Sequence, residues 1–378
     1  MADPSFTEDQ VRYFRARRGL LVGPGASDPV ACAETILGAQ AQVESCAWHA
    51  LSLRTQGNPT VSALAHQVLK ARTLVRTWGQ RGTLHLYARQ ALPLVAGARL
   101  NWATAGRRGG MPPEPLVADI ETLFADAQGP LSRSDLVEHI PQTYVDQLAD
   151  HPGAGNNPRR FAATRLIWVL AQQGVVVFAG KVGREQGYAH RDHWCPELRW
   201  QTYDPDEANA ELARRYLRVF GPATLKDMAH HFGTTLRHVR RWSALLEQEV
   251  ISCTCGQRTL LVMRDDVEAL HVPVGDWPIR LMPAYDTVLM GHKDKQIILP
   301  NKAEEPLIWK KAAVVAAVVL ARGRIVATWS HKRRTREVDV TLTPLSGWSS
   351  TMRGPVEAQA RYFAAHLERT LGACEFKP

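Results

Sequence analysis

The strongest constraint on the fold is a run of three short helices and two strands between Ala208 and Leu270. The helix ELARRYLRVF ends at Gly221-Pro222, and Thr224 stands in the N-cap position of the next helix, LKDMAHHF. A Gly-Thr-Thr turn then leads into LRHVRRWSALLEQ, and the segments EVISCTCG and RTLLVM have the residue types of strands. Three helices followed by a two-stranded wing predict a winged-helix motif.

A similar order of elements occurs earlier in the chain. Pro130-Leu131-Ser132 opens the helix RSDLVEHI, an apolar helix runs from Arg160 to Gln173, and GVVVFAG and REQGYAHR form a hairpin. A third copy is expected near the N-terminus, where VSALAHQVLKARTLVRTWGQ is helical and GTLHLYA is strand-like. The repetition, at a spacing of about 70 to 100 residues, lies in element order and not in sequence identity.

Beyond residue 275 the chain changes to β-branched runs separated by turns: QIILP, AAVVAAVVLARGRIVATW and EVDVTLTPL. The predicted fold class is therefore α+β, with three tandem winged helices followed by a small, β-rich, barrel-like domain. The predicted domains are winged helix 1 with residues 1–110, winged helix 2 with 111–204, winged helix 3 with 205–275 and a basic β-rich domain with 276–378.

The charge distribution favours a polyanionic partner. The chain carries 46 Lys and Arg against 37 Asp and Glu, a formal net charge of +9. Residues 280–378 hold 16 of these bases and 9 of these acids, so +7 of the net charge lies in the last quarter. A basic surface of this kind is typical of proteins that bind nucleic acid.

Several other classes of protein do not fit the sequence. No apolar run approaches the roughly 20 residues that span a bilayer, and the polar start MADPSFTEDQ is unlike a signal peptide, so we expect a cytoplasmic protein without a membrane partner. The six cysteines lack the paired spacing of a zinc site, and there is no glycine-rich nucleotide motif, G-x-S-x-G or H-E-x-x-H. We therefore expect no metal and no cofactor.

Two glutamines near the start of the chain are the first candidates for chemistry. Gln40 and Gln42 flank Ala41, after Gly38 and before the helical pattern CAWHALSLR. Side chains at positions i and i+2 point to one side only when the backbone is extended, because on a helix they lie about 200° apart. A joint role thus requires an extended or irregular backbone. Taken alone, the pattern favours glutamines that cap or solvate a helix start, and it favours Glu44 as a solvated helix residue.

Five segments together resemble the AlkZ-like family of winged-helix DNA glycosylases, over nearly the whole chain from about Phe14 to Trp329. They are Gln40-Ala41-Gln42, Arg76-Thr77-Trp78, Arg81-Gly82-Thr83-Leu84-His85, YLRVFGPAT and Pro283-Ala284-Tyr285-Asp286. The resemblance implies three winged helices and a β-domain arranged around DNA, in a monofunctional enzyme that hydrolyses the N-glycosidic bond of N7-alkylated purines. The glutamine, spacer, glutamine form further implies unhooking of interstrand crosslinks made by bifunctional alkylating antibiotics such as azinomycin, as DNA repair or self-resistance.

The chemistry of such a lesion suits a site without a strong acid. Alkylation at N7 makes the purine cationic and a good leaving group, so the sugar can develop oxocarbenium character with little protonation of the base. The amide oxygens of Gln40 and Gln42 would position water and face the sugar cation. On the resemblance, Gln40 and Gln42 are therefore the predicted catalytic residues.

The predicted DNA-binding residues are lysines and arginines of the basic quarter. Lys332, Arg333 and Arg334 follow a strand and are expected to bind phosphate. The turn with Arg322 and Arg324, and the stretch with Lys293 and Lys295, are competing candidates for a loop that probes a groove. His85 is read as structural, while Asp286 fits either a turn cap or a position near DNA.

Two other functions fit the same charge: a winged-helix transcriptional regulator and a catalytically silent DNA-binding scaffold. A regulator usually dimerises to match a palindromic site, and the sequence has no heptad pattern for such a dimer. The expected partner is double-stranded DNA with N7-alkylpurine adducts or crosslinks, bound by a monomer.

Overall fold

The structure is a computed structural model that describes residues 3–100 and 111–377. Its contacts divide the chain into two compact units. The first, which we call the split unit, combines residues 1–65 with 210–378, and the second, the central unit, holds residues 66–209.

The N-terminal part of the split unit is a series of short helices around one very short strand. Its elements are α1 (Glu8–Arg18), α2 (Pro29–Thr35), β1 (Ala39–Gln40), α3 (Glu44–Ser52) and the start of α4 (Val61–Leu69). Asp28 caps α2, since its carboxylate accepts the amides of Val30 and Ala31 at 2.8 and 2.9 Å. The helix predicted for CAWHALSLR is confirmed as α3.

The central unit packs helices on an antiparallel sheet. Its elements are β2 (Leu74–Trp78), β3 (Leu84–Ala88), α5 (Leu92–Gly97), α6 (Glu114–Asp126), α7 (Arg133–Val137), α8 (Gln142–Gln147), α9 (Pro158–Gln172), β4 (Val176–Val182), β5 (Glu185–His190) and α10 (Arg191–Trp194). Within this unit the strands pair in the order β3-β2-β4-β5. The predicted hairpin GVVVFAG–REQGYAHR is confirmed as β4 and β5, with Val176 opposite His190.

One helix prediction is wrong in this unit. The helix expected over VSALAHQVLKARTLVRTWGQ ends at Leu69, and its second half forms β2. The strand lies between β3 and β4, with Leu74 and Val75 fully buried. Arg72, at a φ of +54°, turns the chain between helix and strand. Pairing on both sides of the strand outweighs the local helix pattern.

The C-terminal part of the split unit begins with the predicted winged-helix order. Its elements are α11 (Pro205–Phe220), α12 (Leu225–Phe232), α13 (Leu236–Ala244), β6 (Val250–Cys255), β7 (Arg258–Met263), α14 (Val267–Leu270), β8 (Arg280–Met282), α15 (Thr287–Met290), α16 (Glu305–Ile308), β9 (Ala317–Ala321), β10 (Arg324–Arg333), β11 (Glu337–Pro344), α17 (Arg353–His366) and β12 (Thr370–Phe376). Thr224 and Thr235 cap α12 and α13, and β6 pairs with β7. Three helices and a wing are thus present where the sequence predicts them.

The C-terminal strands form an open sheet and not a barrel. Their order is β12-β11-β10-β9-β8, and α17 packs against this sheet through Val356, Ala360 and Phe363. The expected strand QIILP is irregular chain, although Ile297, Ile298 and Leu299 are buried. The amphipathic α17 was not predicted. It covers one face of the sheet, and within the described residues β8 and β12 remain the sheet edges.

The two units cut across the four successive domains expected from the sequence. Residues 1–65 fold with residues 210–378, so the predicted first domain, 1–110, is shared between both units. The count of three winged helices stays a prediction. No helix within residues 3–100 or 111–377 combines the length and apolar character needed to cross a membrane.

The carboxylate of Asp227 provides a stability test for the split unit. It caps α12 through the amide and hydroxyl of Thr224, at 2.9 and 2.7 Å, and accepts the amides of Lys293 and Asp294 at 2.8 and 3.1 Å. We expect Asp227→Ala to lower the free energy of unfolding by about 2–4 kcal/mol, because four partly buried donors lose a charged acceptor. The matched cap variant Thr235→Ala, on the exposed start of α13, should cost about 1 kcal/mol or less. Equal losses in urea unfolding would contradict this account.

Candidate active site

The segment that carries the two glutamines has the non-helical backbone that a joint role requires. Gly38 has a φ of +82°, which a residue with a side chain rarely adopts, and it directs the chain from the end of α2 into β1. Gln40 ends the two-residue strand, Gln42 lies in a bend, and α3 begins at Glu44. The backbone is thus extended at Gln40 and irregular at Gln42, as a joint role would require.

The two glutamines differ in exposure. Gln40 is 7% exposed, whereas Gln42 is exposed and is followed by Val43 at 44% exposure. Glu44 is partly buried in the first turn of α3, where a carboxylate interacts favourably with the helix dipole. Its position therefore agrees with the expected helix residue. The segment therefore carries one nearly buried amide side chain and one exposed amide side chain.

Two backbone hydrogen bonds close the chain around this segment. The amide of Ala26 donates to the carbonyl of Arg54 at 2.8 Å, and the amide of Gln56 donates to the carbonyl of Ala26 at 2.9 Å. Residues 26–56 therefore form a closed loop, which we call the glutamine loop, with Gln40 and Gln42 near its middle. The thiol of Cys32 on α2 lies 3.9 Å from the carbonyl of Leu51 on α3, so the two flanking helices also contact each other.

A fully buried ion pair stands at the base of the glutamine loop. Arg54 Nη1 and Nη2 donate to the two carboxylate oxygens of Asp286 at 2.9 and 2.7 Å, and both side chains are 0% exposed. Arg54 Nε donates to the carbonyl of Gly19 at 2.9 Å and Nη1 donates to that of Ala50 at 2.9 Å. Asp286 therefore does not lie at a DNA surface, and of its two predicted roles only the turn cap fits. Sequence reasoning missed Arg54 altogether, because nothing local marks it.

Burial disfavours the thiolate form of the two cysteines near the glutamines. Burial raises the pKa of Cys32 to about 12 and that of Cys46 to about 11. A thiol with such a pKa is almost wholly protonated at neutral pH and does not attack. The backbone amide of Ala284 faces the Cys46 thiol, which places the Pro283–Asp286 segment along α3.

His85 occupies a buried structural position in the central unit. It is 1% exposed, and burial lowers its pKa to about 3. Its Nδ1 lies 3.0 Å from the carbonyl of Thr83, to which it donates as a neutral ring. This environment agrees with the structural role predicted for His85.

The predicted basic residues lie at different places along one strand. Arg322 and Arg324 are exposed at the turn between β9 and β10. Lys332 and Arg333 are exposed at the opposite end of β10, which is about 30 Å away at ~3.3 Å per residue. Arg334 donates to Asp339 at 2.7 Å, so part of its charge is neutralised. The two groups therefore belong to opposite ends of the sheet.

The stretch with Lys293 and Lys295 is only partly as predicted. Lys293 is exposed, but Lys295 is buried and its ammonium donates to the carbonyl of Leu289 at 2.8 Å and to that of His292. The same ammonium lies 4.8 Å from the centre of the Trp309 ring. The expectation that Lys295 binds DNA is wrong, because its charge is already used inside the fold.

Sequence reasoning also passed over an exposed basic helix. Arg237, Arg240 and Arg241 lie on the exposed side of α13, while Val239 and Trp242 are buried. The signal was present in the run LRHVRRW, whose basic and apolar residues alternate with helical period. Among the described residues, no group of His, Cys, Asp and Glu could hold a metal ion.

Comparisons with known proteins indicate the family to which the chain belongs. A sequence model of the AlkZ-like DNA glycosylase family matches residues 33–371. The interstrand DNA cross-link repair glycosylase of Streptomyces sahachiroi is 26% identical over 379 residues, which cover 96% of each chain. The fold resembles the solved structure of S. sahachiroi DNA glycosylase AlkZ, with a TM-score of 0.82 at 21% identity, over 99% of this chain and 100% of that one. The family match begins at residue 33, ahead of both glutamines, and includes nearly all that follows, so the chain belongs to the AlkZ-like DNA glycosylases.

Proposed function

We propose that this DNA glycosylase hydrolyses N7-alkylated purines and unhooks interstrand crosslinks, with Gln40 and Gln42 as its catalytic residues. The observation that carries the proposal is the non-helical segment at Ala39–Gln42, which lies between α2 and α3 and contains a nearly buried Gln40 and an exposed Gln42. The S. sahachiroi relative is named as a cross-link repair glycosylase, which supports the same lesion class here.

The proposed reaction needs polar positioning more than proton transfer. The bond between sugar C1′ and purine N9 breaks, its electron pair moves into the cationic base, and the N7-alkylpurine leaves neutral. A water oxygen then bonds to C1′ and releases its proton to solvent. Neither glutamine titrates, so their amide oxygens act through dipoles that face the sugar cation and through hydrogen bonds that hold the water.

The predicted architecture around DNA is part of the proposal. A hairpin follows four helices in residues 114–190 and three helices in residues 205–263, and this order supports two of the three winged helices. The longest described helices, α9 and α11, have 15 and 16 residues, which gives no support for a long dimerisation helix and favours a monomer. Family membership favours the enzyme over the transcriptional regulator and the silent scaffold.

The direct test of activity is the product. Incubation of the protein with duplex DNA that carries one N7-methylguanine should release the base and leave an abasic site. A regulator or scaffold would bind the same DNA and leave the glycosidic bond intact.

We expect Gln40→Ala and Gln42→Ala each to slow excision by about tenfold or more, the scale for removal of one dipole that faces a developing charge. Single-turnover rates with enzyme in excess measure this, with DNA affinity and melting temperature staying near wild type. Gln56→Ala, an exposed glutamine outside the extended segment, is the matched control. Unchanged rates in both catalytic variants would remove these residues from the mechanism.

The end of β10 that leads into β11, with Lys332 and Arg333, should bind phosphate groups of the DNA backbone. Lys332→Ala with Arg333→Ala should make the slope of log K against log salt shallower, by about 0.9 for each phosphate that the protein no longer neutralises. Lys310→Ala with Lys311→Ala removes the same charge from another exposed position and serves as control. If both double variants change the slope equally, the effect comes from net charge and not from a phosphate contact at the β10–β11 turn.

The exposure of Gln42 and Val43 predicts tolerance of bulk at N7. A purine tied to the opposite strand cannot swing freely into a closed pocket, which is how many base-modifying enzymes reach their target. Single-turnover excision should therefore proceed on a bulky N7 adduct and on a crosslink as well as on N7-methylguanine. Cleavage of N7-methylguanine alone would indicate an enclosed site.

A further inference from the structure

The Arg54–Asp286 pair is too deeply buried to contact DNA. Both side chains are 0% exposed, and the hydrogen bonds of the guanidinium to Gly19, Ala50 and Asp286 all end on protein atoms. Asp286 also caps α15 by accepting the amide of Val288 at 3.0 Å. Any effect of this pair on catalysis must therefore act through the positions of other residues.

Stability alone does not explain a buried ion pair. Removal of two charges from water is costly, and well-packed apolar residues of similar size often stabilise a protein equally well or better. Breaking such a pair by removing one partner is a different matter, since it leaves an uncompensated charge in the interior. What the pair provides that apolar residues do not is a fixed geometry, because the guanidinium fork matches the carboxylate at two points.

The two-point contact between Arg54 and Asp286 lies at the base of the glutamine loop, where Arg54 also binds the segments on either side of the glutamines. The carbonyl of Arg54 holds Ala26, three residues before α2, and its side chain holds Ala50 within α3. The guanidinium is also tied to Gly19 at the end of α1. Arg54 thus fixes the positions of α2 and α3, the helices that flank Gln40 and Gln42, relative to α1.

The partner segment holds α3 at a second point. Asp286 meets Arg54 just beyond the C-terminal end of α3, and Ala284 meets Cys46 in its first turn. The residue between them, Tyr285, has a φ of +61°, an unfavourable conformation for a residue with a side chain. Contacts at both ends fix α3 in rotation and register.

We propose that Arg54 and Asp286 are positioning residues of the glycosylase, which set the geometry of Gln40 and Gln42 through the base of the glutamine loop. The proposal rests on the catalytic role assigned to the two glutamines. It assigns to the pair no contact with substrate.

The test replaces the whole pair so that no charge is left alone. Arg54→Met with Asp286→Asn keeps similar volumes and leaves an amide oxygen to cap α15. We expect a folded protein that binds lesion DNA with wild-type affinity, while the single-turnover rate at saturating enzyme falls about tenfold or more, since displacements near 1 Å are costly to catalysis. A folded double variant with the wild-type rate would overturn the proposal.

A second variant covers the case in which the double variant does not fold. Arg54→Lys keeps a charge for Asp286 but loses the two-point fork, and the same fall in rate at unchanged affinity is expected. Ser132→Ala, at the cap of α7 in the central unit, is the control for a general loss of stability and should keep the wild-type rate. If neither pair variant folds, the pair is a requirement of folding and the positioning role is refuted.

Failure of the positioning role of Arg54 and Asp286 can be distinguished from failure of the catalytic role of Gln40 and Gln42. If Gln40→Ala and Gln42→Ala excise at the wild-type rate, the catalytic assignment fails, whatever the pair variants do. If the glutamine variants are slow and the pair variants are fast, only the positioning role fails.

Discussion

The backbone closure of the glutamine loop is the constraint on which the site depends. Two hydrogen bonds join Ala26 to Arg54 and Gln56. They hold the two ends of the loop together, and α2, β1 and α3 lie between those ends. Both residues of the two-residue strand β1 are buried, although so short a strand is at best marginally stable by itself. The loop makes an intrinsically weak element part of a packed structure.

The modest chemistry that we propose for the site follows from the substrate that we propose for it. A cationic N7-alkylpurine already carries the driving force for bond cleavage, so the enzyme needs oriented dipoles more than an acid of perturbed pKa. The residues near the glutamines agree with this: the cysteines are held protonated by burial, and Glu44 occupies an ordinary helix position. Under the proposed mechanism, catalysis by neutral amides makes accurate placement of the two glutamines the main task of the fold.

The sequence predicted what is encoded locally. The helices α12 and α13 and the wing β6–β7 were found because Thr224, Thr235 and the turn residues determine their ends within a few positions. The strand β2 was missed because its conformation depends on partners far along the chain. Lys295 was misassigned for a similar reason, since no local pattern shows that two carbonyls and an aromatic ring surround its ammonium. Arg54 and Asp286 are 232 residues apart, so their pairing cannot be recognised from the sequence without the fold.

The local pattern around Gln40 and Gln42 left helix capping open, and the resemblance to a family supplied the catalytic interpretation.

The central claim is that the two glutamine oxygens stabilise positive charge at the sugar. Its most direct test compares the affinity of the protein for two product-like duplexes, one with a cationic azasugar at the lesion position and one with a neutral tetrahydrofuran. Wild type should prefer the cationic duplex by about tenfold or more, as expected for a mimic of the transition state, and Gln40→Ala and Gln42→Ala should lose most of that preference. An equal preference in wild type and both variants would contradict the account.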